Sequence, residues 1–267
     1  MYTTISLLIL SSILSILPHS SAYIPAYPVN DPVSPPDASG TNGTSPSESW
    51  LNMTSQSYNG GGFALKVSYS VVGAKSNGLA KGPFLHFSET NLTEDTTTTP
   101  WIALVSCDSN STNASTTTDI FTLARQRGAI AAFLYSLYGE RCEISRDYAD
   151  PTNFDNRMDI FSAPMLTASQ FIEDRFAVIT TKYRNFNATL LNDSAAEVNA
   201  TLFDGPVAQG FMFASLRASN ATADGGFGDL TPIADKPQGN GGNPNTGLEL
   251  NILYATVVAV LTLLSLM

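Results

Sequence analysis

The sequence predicts a mixed α/β domain with a βαβ crossover at its core, and three observations lead to it. Residues 101–105 and 129–135 are continuous apolar runs of strand length, the pattern of strands covered on both faces. Between them, residues 119–127 place Ile120, Leu123 and Ala124 on one helical face. A strand, a helix and a strand in that order imply parallel strands joined by a right-handed crossover.

The remaining elements follow along the chain. Phe63, Leu65, Val67, Tyr69 and Val71 fall on a two-residue period, so residues 63–71 are expected as a strand with one buried face. Residues 90–99 are too polar and threonine-rich for core. Thr118 is the expected N-cap of the crossover helix and Gly128 its C-terminal stop. Residues 158–161 read as a further strand, ended by Ala163 and Pro164. Thr167 to Gln170 match a capping box that opens a helix running to about Phe176. Residues 197–203 and 211–216 are expected as closing strands.

Composition sets the boundaries of this domain at residues 49–216. Residues 23–48 carry Pro28, Pro32, Pro35, Pro36 and Pro46 among Ser, Gly and Asn, and read as a disordered lead-in. Residues 217–249 are rich in Gly, Asn and Pro and read as a stalk. Residues 1–22 have a short apolar run and a small-residue exit at Ser20 and Ala22, the marks of a signal peptide cleaved after Ala22. Residues 250–267 are apolar. As a helix they reach roughly 27 Å, barely a bilayer core, so they read either as a transmembrane helix or as the tail of a GPI-attachment signal. In the second case Asn240, followed by Gly241 and Gly242, is the candidate attachment residue.

Export agrees with the sequons at Asn42, Asn52, Asn91, Asn110, Asn113, Asn187, Asn192, Asn199 and Asn220. It also agrees with the two cysteines, Cys107 and Cys142, an even number that in an exported chain implies a disulfide. The net charge of −10 argues against nucleic-acid partners, which need a basic patch.

Chemistry-bearing patterns are sparse. With His19 in the signal segment, His86 is the single histidine of the exported chain, and it reads as structural rather than as a general base. There is no His-Glu-x-x-His and no Gly-x-Ser-x-Gly, and the disulfide takes both thiols. Asp147, Asp150 and Asp155 lie between Arg146 and Arg157 without the spacing of a calcium loop, and read as a solvated loop. The Gly60–Gly62 run lacks the lysine of a phosphate loop. No enzyme, metal or cofactor is expected.

Residues 101–105 (Trp-Ile-Ala-Leu-Val), 128–136 (Gly-Ala-Ile-Ala-Ala-Phe-Leu-Tyr-Ser) and 161–166 (Phe-Ser-Ala-Pro-Met-Leu) resemble the protease-associated (PA) domain. A closer similarity is to fungal ectodomains of the PA-transmembrane-RING type, carried by Val105-Ser106-Cys107, Leu134-Tyr135-Ser136 with Cys142, Pro244-Asn245-Thr246 and Ile252-Leu253-Tyr254-Ala255. No zinc-binding cysteine and histidine cluster follows, so ligase activity is not carried over. The resemblance implies a single swivelling β/β/α domain that binds proteins or peptides in the secretory lumen or at the cell surface. The expected ligand loops, at the strand ends where ligands collect in α/β crossovers, are at Cys107, Asp108, Ser136 and Pro164. The alternatives are a truncated relative of the ligase and a bulk surface glycoprotein with no specific ligand.

Overall fold

The computed structural model describes residues 21–31, 49–58, 62–71, 78–88, 95–108, 114–150, 158–219 and 221. All of these belong to the unit Met1–Pro232; a second unit, Ile233–Met267, lies outside the described residues, and with it the stalk's end, Asn240 and the apolar tail.

Eleven strands are described: β1 (Ser21–Tyr23), β2 (Ala26–Val29), β3 (Ser49–Thr54), β4 (Gly62–Val71), β5 (Leu79–His86), β6 (Trp101–Ser106), β7 (Ala114–Asp119), β8 (Ala129–Tyr135), β9 (Arg141–Ile144), β10 (Asp159–Ser162) and β11 (Phe213–Arg217). The α-helices are short: α1 (Ile120–Gln126), α2 (Arg146–Ala149), α3 (Leu166–Phe176), α4 (Ala188–Asp193) and α5 (Ala195–Leu202). Seven strands close into a barrel in the order β10-β4-β3-β11-β5-β6-β8, with β8 pairing back onto β10. The β5–β6, β6–β8 and β8–β10 pairs are parallel, and the remaining junctions are antiparallel.

This overturns the expected mixed α/β domain with a βαβ crossover core and a swivelling β/β/α layout. The core is a closed barrel, and the protein is mostly strands with few short helices. The physical reason lies in what buries the apolar runs. In β6, Ile102 and Leu104 join a cluster fed by every barrel strand, including Leu51, Val67, Phe84, Phe133, Phe161 and Leu216, so that cluster fills the inside. Trp101, Ala103 and Val105 alternate to the outside, where they pack with Phe121, Leu123 and Ala124 of α1 and with Phe186 and Leu191. A strand of a filled barrel with a covered outer face is as apolar as one sandwiched between helix layers, so hydropathy does not distinguish the two.

Local differences have equally specific causes. The N-cap of α1 is Asp119, not Thr118: its carboxylate accepts from the N–H groups of Phe121 and Thr122 at 2.9 and 2.8 Å. No capping box opens α3; its N-cap is Met165, and the Leu166 N–H donates instead to the Glu140 carboxylate at 3.4 Å. Residues 197–203 are mostly helix, because Val198 and Thr201 share the buried side of α5 while Glu197, Asn199 and Ala200 face water. Thr97 and Thr99, from the stretch expected to avoid the core, are 4 % and 2 % exposed. Their hydroxyls donate to Asn192 Oδ1 at 2.6 Å and to the Leu191 carbonyl at 3.2 Å, which satisfies them in the interior.

The start of the expected lead-in is also structured. β1 pairs with β7 and β2 with β9, and the expected cleavage point after Ala22 falls inside β1, where Ala22 is fully buried. Cys107 and Cys142 form the disulfide, with Cα atoms 6.0 Å apart. Among the described residues, no helix is long and apolar enough to cross a membrane.

Candidate functional site

Because β5, β6, β8 and β10 run parallel, their C-terminal ends meet at one rim of the barrel. The residues that end them are His86, Ser106, Tyr135 and Ser162. Loops positioned by a rigid scaffold of this kind carry binding residues disproportionately. Here α3 crosses the rim with Ser169 and Glu173 one turn apart on the same face.

Two hydrogen-bonded groups occupy this rim. In the first, Glu173 Oε1 lies 2.8 Å from His86 Nε2, and Glu173 also bonds the Tyr135 hydroxyl. The other ring nitrogen of His86, Nδ1, is 3.2 Å from the Arg184 carbonyl, and Phe176 packs against the ring at 4.5 Å. Backbone bonds from His86 N–H to Arg184 and from Phe186 N–H to His86 complete the clamp. The His86 side chain and backbone thus join β5, α3 and the segment after it.

In the second group, Asp108 accepts from the Ser106 hydroxyl at 2.9 Å, from the Leu137 N–H at 2.9 Å and from the Ser136 hydroxyl. Ser136 Oγ in turn accepts from the N–H groups of Gly139 at 2.7 Å and Tyr138 at 3.2 Å. Its own N–H reaches Ser169 Oγ at 3.4 Å. With the disulfide at Cys142, loop 136–142 is held at both ends. It displays Leu137, 42 % exposed, and Tyr138, 84 % exposed, and Met165 on the neighbouring β10–α3 loop is 43 % exposed.

Of the expected ligand-loop residues, Asp108 and Ser136 are in direct contact. Cys107 is buried beside them with its N–H on the Tyr135 carbonyl, and Pro164 is half-buried next to Met165. Sequence reasoning did not single out Tyr135, Ser169 or Glu173. The i, i+4 spacing of the last two on an expected helix was the available signal, but it looks the same on a solvated face. Asp147 lies in the first turn of α2 and Asp150 caps that helix, while Asp155 is outside the described residues. No group of three or more potential metal ligands occurs among the described residues. Gly62 opens β4, and Gly60 and Gly61 lie outside the described residues.

The sequon residues Asn187, Asn192 and Asn199 are exposed on and before α4 and on α5, and Asn52 is half-buried in β3. Asn42, Asn91, Asn110, Asn113 and Asn220 are outside the described residues.

The rim carries one electrostatic signature. The Tyr135 hydroxyl is pushed far above the ordinary phenol value of about 10, first by burial and then by the Glu173 and Asp108 carboxylates. Tyr148 is raised likewise by burial and by Asp119. In the unfolded chain both phenols ionise near pH 10, whereas in the folded protein they stay neutral. Stability contributed by these groups is therefore complete below about pH 10 and is lost as pH rises beyond it. The urea unfolding midpoint is expected to fall above pH 10, and Tyr148→Phe to shallow that decline. A midpoint flat through this range would contradict the burial of these phenols.

No family model matches the chain, and no curated protein matches it.

Proposed function

We propose that this protein is a non-catalytic module that binds protein or peptide segments with the loops at the barrel rim, in the secretory lumen or at the cell surface, tethered to the membrane by its C-terminal tail. One observation carries this reading: Leu137 and Tyr138 face solvent on a loop whose backbone is already held by Asp108, Ser136 and the disulfide. Single exposed apolar residues are ordinary on a protein surface. An exposed tyrosine beside an exposed leucine on a pre-ordered backbone is different, because docking them costs little further conformational entropy. Tyrosine is also a frequent energetic anchor of interfaces.

Selection of a random heptapeptide library on the purified protein tests it. Enriched peptides are expected to bind the wild type and to lose about 30-fold in affinity on the Leu137→Ser, Tyr138→Ser double variant, with an unchanged unfolding midpoint. Absence of enriched peptides, or equal binding to both proteins, would overturn the proposal.

A further inference from the structure

Resting on the export part of that reading, we infer that Asn199 carries an N-linked glycan, added before the chain folds, whose first sugar covers the exposed ring of Phe203. Asn199, Ala200 and Thr201 form a sequon inside α5. Val198 and Thr201 anchor this helix in the interior. Asn199, one position on from Val198, is turned about 100° away from that anchor and faces water.

Phe203 is 86 % exposed, the most of any large apolar residue described. An ordered turn holds it there. Its N–H donates to the Asn199 and Ala200 carbonyls at 3.3 and 3.2 Å, and the Gly205 N–H donates to the Ala200 carbonyl at 2.9 Å. Asp204, the next residue, pairs with Lys81 at 3.0 Å. A single exposed phenylalanine is ordinary. This one is fixed four positions after a sequon asparagine, the spacing that sets two helical side chains one above the other. A sugar on Asn199 is therefore delivered beside the ring. The C–H face of a pyranose packs on an aromatic face, and the contact removes apolar surface from water.

In the transfer, Asn199 Nδ2 attacks the anomeric carbon of a lipid-linked oligosaccharide. An N–C bond forms, the C–O bond to the lipid pyrophosphate breaks, one amide proton passes to a base, and the lipid pyrophosphate leaves. The sequon also requires the hydroxyl two residues on, here that of Thr201. In the folded protein Thr201 is 4 % exposed. Its hydroxyl lies 3.0 and 2.9 Å from the Glu197 and Pro206 carbonyls, to which it donates, and accepts from the Ala208 N–H at 2.8 Å. That hydroxyl is committed to the interior, so the sugar goes on while the segment is still unfolded.

Full-length protein made in a eukaryotic secretory host tests this. Peptide N-glycosidase in heavy-oxygen water converts each glycosylated asparagine to a mass-tagged aspartate, and the tag is expected at Asn199. In the intact glycoprotein, cross-relaxation between sugar protons and the Phe203 ring is expected, and its loss in Phe203→Leu assigns it. Folded protein made without glycans, offered the transferase and a lipid-linked donor, is expected to stay unmodified at Asn199, whereas a peptide of residues 195–203 takes the sugar. Tags at other sequons but not at Asn199, a tagged Asn199 without cross-relaxation to Phe203, or modification of the folded protein as readily as the peptide would each overturn this inference and leave the export reading intact. Absence of a tag at every sequon would overturn both. Peptide binding at the rim is measured separately, so its failure would count against the binding reading alone.

Discussion

Serine at both Cys107 and Cys142 is expected to lower the unfolding free energy by about 4 kcal/mol. The bridge spans 35 residues, and on the chain-entropy model closing a loop of that length removes this much freedom from the unfolded chain. The enclosed segment holds β7, α1 and β8, so the unfolded protein gains its new freedom where a large part of the outer core is made. Both cysteines are buried, at 2 % and 3 % exposure, and serine adds the cost of two interior hydroxyls without assigned partners. Urea titration of the oxidised wild type against the double variant measures the difference. A loss under 1 kcal/mol would show that the unfolded chain is already constrained there by other means. The same variant is expected to weaken peptide binding, since loop 136–142 loses its anchor at Cys142.

Gly128→Ala is the second large effect, expected to cost about 3 kcal/mol or more. Two separate costs coincide at this position. Its φ of +98° lies in a region that side chains with a Cβ rarely adopt, and an added Cβ would sit 2.2 Å from the Thr97 carbonyl oxygen. Relief would require moving backbone, and the backbone there is committed. The Thr97 N–H donates to the Arg127 carbonyl at 3.3 Å, and the Trp101 indole N–H reaches the same oxygen at 3.2 Å. Displacing residue 97 would also disturb the buried bonds of Thr97 and Thr99 to α4. Equilibrium unfolding of Gly128→Ala beside Gly62→Ala separates the causes. At Gly62, without a positive φ, the nearest atom is a threonine methyl at 3.1 Å that can give way, so the control is expected to lose less than 1 kcal/mol. Similar losses at both positions would remove the special standing of Gly128.

Several local features were readable before any tertiary contact. The strands at 101–106 and 129–135 declared themselves because five or more consecutive apolar residues have few other places to go. The two-residue period of β4 and the glycine stop after α1 are local signals, and the structure contains both elements. Pairing of the cysteines followed from their even number. The failures are as specific. Residues 197–203, expected as a strand, are mostly helix: Val198 and Thr201 are the buried pair, and a single three-residue spacing is too short a pattern to stand out in sequence. Residues 79–86 contain Lys81, Gly82 and Pro83, which obscure β5 in sequence. In the barrel the edge-to-edge pairing with β11 and β6 decides the matter.

For the rim, Asp108 and Ser136 were named as loop residues, yet nothing in their neighbourhoods pointed to each other, 28 positions apart. Glu173 is 87 positions from His86, and only the crossing of α3 over the strand ends brings the carboxylate to the ring.

Sequence alone determined which segments bury both faces, where α1 stops and which thiols are available to pair, because those properties depend on residue type and near neighbours. Closure of the sheet was decided only by the tertiary structure. An apolar strand has the same composition whether helices or a barrel interior cover it, and the choice lies in the long-range pairing of β8 with β10 and of β3 with β11. That closure is what gathers four parallel strand ends at one rim.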